Sequence, residues 1–158
     1  MPYRIYFVNE IEFQASLRLI RGRSLKETRV VQVVPGLRTR NISVCCTISK
    51  NGVTKCHAQT TSYNAVTLLY HIDGLECGSS VIIMDNVPFH MSTRIWQTIE
   101  TRNHKFMLLP PYSPFLNPIE NIFSKWKQYI RQSRPNDSVD LFSLMENVEN
   151  IISPRDCA

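Results

Sequence analysis

Apolar residues recur along this chain with two different periods. Arg4-Ile5-Tyr6-Phe7-Val8-Asn9 is β-branched and aromatic, which predicts a strand ending at the polar Asn9-Glu10. The stretch from Asn41 to Ser49 predicts a second strand. Lys50-Asn51-Gly52 is a hairpin signal, and Val53 to Gln59 supplies the returning strand. Between Ser62 and Leu75 the period lengthens. Ala65, Leu68, Leu69 and Ile72 fall at helical spacing, and Gly74 or Gly78 closes the helix. The short apolar run from Ser80 to Asp85 fits a strand buried on both faces. Ser92 or Thr93 then caps a helix through Thr101, with Ile95, Trp96 and Ile99 inward. Lys105 to Leu109 is one more strand, and Pro110 to Pro118 a stiff loop. Asn117 stands as N-cap and Pro118 as first residue of a strong helix, with Ile119, Ile122, Phe123, Trp126 and Ile130 on one face. A last helix from about Ser138 to Ile152 buries Phe142, Met145, Val148 and Ile152.

An antiparallel start running into β-α-β-α units predicts an α/β fold, a mixed sheet flanked by helices. The 158 residues fit one domain, 1–158, and a 43% hydrophobic share is enough for a core without a metal or disulfide staple. No apolar run matches a membrane span, and Met1 to Asn9 lacks a secretory leader pattern, so an intracellular protein with no membrane partner is expected. None of the five cysteines forms a C-x-x-C pair, which argues against a zinc ribbon. Reduced structural cysteines are expected, with Cys45 and Cys46 facing opposite sides of their strand.

Charge adds a hint about partners. Lysine and arginine number 18 against 13 acids, for a net +5, and they cluster. A basic loop covers 18–40 and includes Arg21, Arg23, Arg38 and Arg40; a second basic block runs from His90 to Arg134, and the tail is acidic. A polyanion-facing surface and plain solubility explain this equally well.

Ligands of open α/β sheets gather beyond the carboxyl ends of strands, where Asn9-Glu10 and Asp85-Asn86 lie. If those strands are parallel neighbours, Asn9 and Asp85 stand ~5 Å apart, a separation suited to sharing a divalent metal. Asp85 alone fits a turn residue or a phospho-acceptor just as well. Glu120, three residues past the N-cap, either complements its own helix or reaches a strand end. His90 either orients a phosphate or water near Asp85 or is a surface or capping residue, the latter being commoner. The Pro111-x-x-Pro114 spacing suits an SH3-type ligand, but a rigid support for the Glu120 helix is the simpler reading. Lys125, Lys127 and Arg131 either touch DNA phosphates or form a solvated face. Tyr112 either stacks on a base or packs on the sheet, and packing is the expectation.

Met84-Asp85-Asn86-Val87-Pro88-Phe89-His90, followed by Leu109-Pro110-Pro111-Tyr112-Ser113-Pro114-Phe115-Leu116-Asn117-Pro118-Ile119-Glu120-Asn121-Ile122-Phe123, resembles the catalytic domain of DDE-superfamily transposases, in the mariner-like and bacterial insertion-sequence branch. The 34 residues between Asp85 and Glu120 match the spacing of that branch. Phe7 to Phe13 and Arg21-Gly22-Arg23-Ser24 resemble its opening strand and following turn, so the likeness spans nearly the whole chain. It implies an RNase H-like fold, DNA as partner, a homodimer in a transposition complex and, in a eukaryote, a nuclear location. It also implies two Mg²⁺ or Mn²⁺ ions, held by acids at positions 9, 85 and 120, for nicking transposon ends and joining the freed 3′-hydroxyl to target DNA. Arg21, Arg23, Arg38, Arg40, Lys125, Lys127 and Arg131 are the implied DNA contacts. The family's N-terminal helix-turn-helix units have no counterpart in this sequence.

The resemblance departs at one position. Asn9 stands where the family has its first aspartate, so one formal charge and one anionic ligand are missing. Glu10 cannot replace it, because successive strand residues face opposite sides. Two readings follow: a catalytic domain disarmed at position 9, or a non-catalytic nucleic-acid-binding module that keeps the fold.

Overall fold

A computed structural model of the chain describes residues 4–13, 23–29, 31, 41–75, 78–133, 135 and 138–157. Five strands, β1 (Arg4–Phe13), β2 (Ile42–Ser49), β3 (Gly52–Gln59), β4 (Ser80–Met84) and β5 (Lys105–Leu108), form one sheet in the order β3-β2-β1-β4-β5. The β1–β2 and β2–β3 pairs are antiparallel, while β1–β4 and β4–β5 are parallel. Helices α1 (Ala65–Asp73) and α2 (Thr93–Thr101) make the crossovers around β4; α3 (Pro118–Ser133), α4 (Ser138–Glu146) and α5 (Val148–Ile151) follow. This is the expected mixed α/β arrangement.

Side-chain alternation in the central strands builds two cores. Ile11 and Phe13 of β1 join Ile42, Val44, Cys46 and Ile48 of β2 under the apolar stripe of α3, where Phe13 meets the edge of Trp126 at 5.0 Å. Such a pair adds about 0.5–1.5 kcal/mol beyond the area it buries. Val8, Cys45, Ile82 and Met84 point the other way, onto Leu68 and Ile72 of α1 and Ile95 and Ile99 of α2. Helix α1 starts at a capping box: Asn64 Oδ1 accepts from the Val66 and Thr67 amides, and Thr67 Oγ1 accepts from the Asn64 amide.

Several expectations need correction. Strand β1 does not stop at Asn9-Glu10 but runs on to Phe13, because Ile11 and Phe13 continue the buried alternation around exposed Glu12. Trp96 is 43% exposed, its ring tilted against Phe106 at 5.3 Å, so only Ile95 and Ile99 are fully inward. The last helix is interrupted at Asn147, and Leu141 takes the deeply buried place expected for Phe142. Cys46 and Cys56 are not reduced: they are cross-strand partners of β2 and β3 and form a disulfide. Direct opposition across an antiparallel ladder brings their Cβ atoms close enough for the bond. Cys45 and Cys157 are free and buried. Among the described residues, no helix is long and apolar enough to cross a membrane.

Candidate metal centre

The parallel register of β1 and β4 ends with Val8 opposite Met84. Asn9 and Asp85 come next, side by side at the carboxyl edge of the sheet. Asn9 is buried, and its parity turns it toward α3. The loop after β5 is tied to the same edge by the Leu109 amide, which donates to the Met84 carbonyl at 2.8 Å. That loop delivers the start of α3, where Asn117 Oδ1 accepts from the Ile119 amide at 3.4 Å. One helical turn on, Glu120 Oε1 accepts from Asn9 Nδ2 at 2.9 Å. Asp85 and Glu120 both line a cleft of about 330 Å³, together with Asn86, Leu109, Tyr112 and Asn117. Asn9, Asp85 and Glu120 are thus brought together at one end of the sheet. Burial, followed by the Asp85 charge, raises the Glu120 pKa; Lys127 and the Asn9 hydrogen bond hold it back.

The opposite parity of β1 carries Glu10 to the other face. There it accepts from Cys45 Sγ at 3.7 Å and faces His90. His90 is fully buried, not the surface residue expected. Its Nε2 lies 3.1 Å from Glu10 Oε2, and its Nδ1 lies 2.8 Å from Asp85 Oδ1 and 3.0 Å from the Asp85 backbone carbonyl. A ring with acids at both nitrogens carries both protons. Burial opposes that charge, but the bonds to Asp85 and Glu10 outweigh it and raise the pKa to about 10. Ligand atoms of Glu10, Asp85 and His90 lie within 4.8 Å of one another, close enough for a metal ion. With no ion bound, protons on both ring nitrogens make the group an ion triad, and it leaves Asp85 shared between two faces of the sheet.

Two carboxylates from separate elements facing one cleft suit a hard divalent cation. Asn9 does not add a third ligand. Its Oδ1 already accepts from the Glu10 amide at 2.9 Å, so the N–H₂ end faces Glu120. Turning the amide over would set two donors against each other. The residues therefore fit a cation held by Asp85 and Glu120, and not one bridged by position 9.

The expected DNA contacts are scattered. Arg21, Arg38 and Arg40 lie outside the described residues, and Arg23 is exposed. Lys127 is half-buried and acts on Glu120. Lys125 is paired with Asp156 at 2.8 Å, and Asp156 also accepts from the Ser153 amide and hydroxyl. The tail therefore folds against α3, because its acid finds both a cation and a turn to cap. Arg131 is half-buried. Tyr112 does not pack on the sheet: it is fully exposed, at a φ of 56°. The sequence reading missed the His90–Glu10 bond, for which the only signal was a polar pair of opposite charge on predicted neighbouring elements.

The sequence profile of the DDE superfamily endonucleases matches residues 4–142. No curated protein matches by sequence. Among solved structures, the Mos1 mariner paired end complex with Mn superposes with a TM-score of 0.80 at 15% identity, over 98% of this chain and 50% of that one. The Mos1 strand transfer complex gives 0.78 at 16%, over 98% and 49%. The catalytic domain of Mos1 mariner transposase gives 0.72 at 15%, over 98% and 74%. The chain thus spans about half the length of the first two. At these identities the likeness is one of fold, and the fold is RNase H-like. With most of its length matched by the profile and its sheet by the transposase domain, the chain belongs to the DDE superfamily endonucleases.

Proposed function

We propose that the chain is a transposase catalytic domain of the kind that cleaves and joins DNA strands with divalent metal, inactive as it stands because position 9 is Asn. The single observation that carries this is the bond from Asn9 Nδ2 to Glu120 Oε1, in which a neutral N–H donor stands where the family's chemistry needs an anionic oxygen. Asp85 and Glu120 would hold Mg²⁺ or Mn²⁺, which when bound supplies activation of a nucleophilic hydroxyl and stabilisation of the leaving oxygen. Asp85 would be steadied from behind by His90, and the Lys127 charge would oppose the upward push that burial and Asp85 give the Glu120 pKa. DNA is the substrate, taken by phosphate contacts from Arg23, Lys127 and the basic loop, and two copies act together on paired ends. In a eukaryote the place of work is the nucleus.

The same bond favours a second reading. Asn9 satisfies Glu120 with no cation, so the domain is complete as a metal-free, non-catalytic nucleic-acid-binding module. Nicking of supercoiled plasmid with Mn²⁺ separates the two, run with this chain, Asn9→Asp, and Asn9→Asp combined with Glu120→Gln. The catalytic reading expects nicking by Asn9→Asp alone. Robust nicking by the unmodified chain, lost with Glu120→Gln, would show that Asn9 is tolerated. Calorimetric Mn²⁺ binding that is as weak in Asn9→Asp as in the parent would favour the non-catalytic module.

A further inference from the structure

We infer that the loop from Pro110 to Pro118 carries a nucleotide subsite on the cleft, where Asn117 Nδ2 donates to a phosphate oxygen of a DNA strand and Tyr112 and Phe115 stack on its unpaired bases. This deepens the proposed function and rests on it, since it names the form of DNA that the site takes.

Asn117 is buried to 3% exposure and lines the cleft beside Glu120. Its Oδ1 is spent on the Ile119 amide, and its Nδ2 has no hydrogen-bond partner. Buried amide donors are rarely left unmet, and one at a cleft wall is met by water or by a ligand acceptor. Beyond a cleft floored by Asp85 and Glu120, the acceptor that fits is a phosphodiester oxygen, whose neighbouring bridge the carboxylates and their cation would address. The N-terminal end of the 16-residue α3 points the same way and favours an anion.

The rim of the cleft supplies what a base needs. Tyr112 lines the cleft and is 100% exposed; Phe115 does not line it, but it follows the lining residue Pro114 in the turn Pro114–Leu116 and is 82% exposed. Among the described residues, neither ring packs against another aromatic ring. Pro110, Pro111 and Pro114 stiffen the segment, so the rings are displayed without a large ordering cost on binding. A flat, solvent-facing ring takes the face of a base only when that base is unstacked, which excludes intact duplex and selects a splayed or single-stranded end.

The test is fluorescence anisotropy in low salt with Mg²⁺, using a labelled duplex with a 3′ single-stranded overhang, its blunt counterpart, and the same overhang made abasic. The subsite predicts that the overhang binds about tenfold tighter than the blunt duplex. That preference should vanish for the abasic overhang and for Tyr112→Ala with Phe115→Ala, and survive in Tyr112→Trp. Asn117→Ser keeps a capping oxygen but shortens the donor, so it should weaken overhang and abasic DNA alike while its melting curve stays cooperative. Equal affinity for overhang and blunt duplex would overturn the subsite and leave the DNA reading standing. No binding to either duplex would remove both. Unchanged DNA affinity in the double alanine variant, with a shift in size-exclusion mass, would overturn the subsite and mark the aromatic rim as a protein interface.

Discussion

Replacing Asn9 by Asp places a carboxylate where an N–H₂ now donates to Glu120 Oε1 at 2.9 Å, with Asp85 on the same cleft. Two unit charges about 4 Å apart repel by about 4 kcal/mol at an effective dielectric constant near 20. Protonation caps that cost. Neutralising one carboxyl at pH 7 takes about 1.36 kcal/mol for each pH unit above its ordinary pKa near 4.3, or about 3.7 kcal/mol, and lets an O–H···O bond replace the lost one. The metal-free Asn9→Asp chain is therefore destabilised by about 2–4 kcal/mol at pH 7. For a domain of this size that lowers the melting temperature by roughly 5–15 °C. The sign with pH follows from proton binding. The acid pair has a folded-state pKa above its unfolded value, so the folded chain holds the extra proton and the deficit shrinks as pH falls from 7 toward 4. Mn²⁺ has the opposite leverage: at a hundredfold excess over its dissociation constant it returns about 2.7 kcal/mol to Asn9→Asp and little to the parent. Differential scanning calorimetry at pH 5 and 7, with and without Mn²⁺, reads all four states. An Asn9→Asp chain as stable as its parent at pH 7, and unresponsive to Mn²⁺, would refute the reasoning.

Other outcomes follow from the same geometry. His90→Gln breaks a buried pair and should cost about 3–5 kcal/mol by urea denaturation. Because the folded His90 pKa is raised to about 10, its contribution is full below about pH 6.5 and lost as pH rises through 10; a parent urea midpoint that is flat from pH 6.5 to 10 would contradict it. Reducing Cys46–Cys56, which spans a sequence separation of 10, should lower stability by roughly 3 kcal/mol through loop-closure entropy, checked by melting with and without dithiothreitol. Lys127→Ala should weaken binding to any DNA sequence and reduce the salt slope by about 0.9. Lys125→Ala, whose partner is Asp156, should change both DNA affinity and the melting temperature little, because the pair is solvent-screened.

What the sequence disclosed was periodicity and punctuation. The stripe Ile119, Ile122, Phe123, Trp126 and Ile130 is buried as its spacing requires, and Asn117-Pro118 marks the start of its helix. Where polar residues interrupt a period for reasons of chemistry, the same reasoning fails. Asn9-Glu10 looks like a strand end because both residues are polar, yet each is held inside by a partner far along the chain, Glu120 on one face and His90 on the other. Tyr112 and Trp96 are large aromatics, which pattern alone sends inward; exposure of one on a proline-stiffened loop and of the other at a helix edge is a tertiary outcome. The disulfide depends on which cysteine stands opposite which, and that requires the register of β2 and β3. The convergence of Asn9, Asp85 and Glu120 was legible through motif and spacing, whereas the direction of the Asn9 amide was not, since it is set by the Glu10 amide on one side and a carboxylate on the other.

The sheet order also sets a timetable. The β2–β3 hairpin pairs residues close in sequence, but β1 meets β4 only across the span from Arg4 to Ser80, and the Asn9–Glu120 bond closes across 111 residues. Contacts of such long range pay their loop-closure entropy before they gain anything, so they form late. A chain emerging from the ribosome can zip its hairpin while Glu120 has yet to be synthesised. The cleft therefore exists only once the chain has been made past residue 120, and any ligand that needs Asp85 and Glu120 together passes over shorter nascent chains.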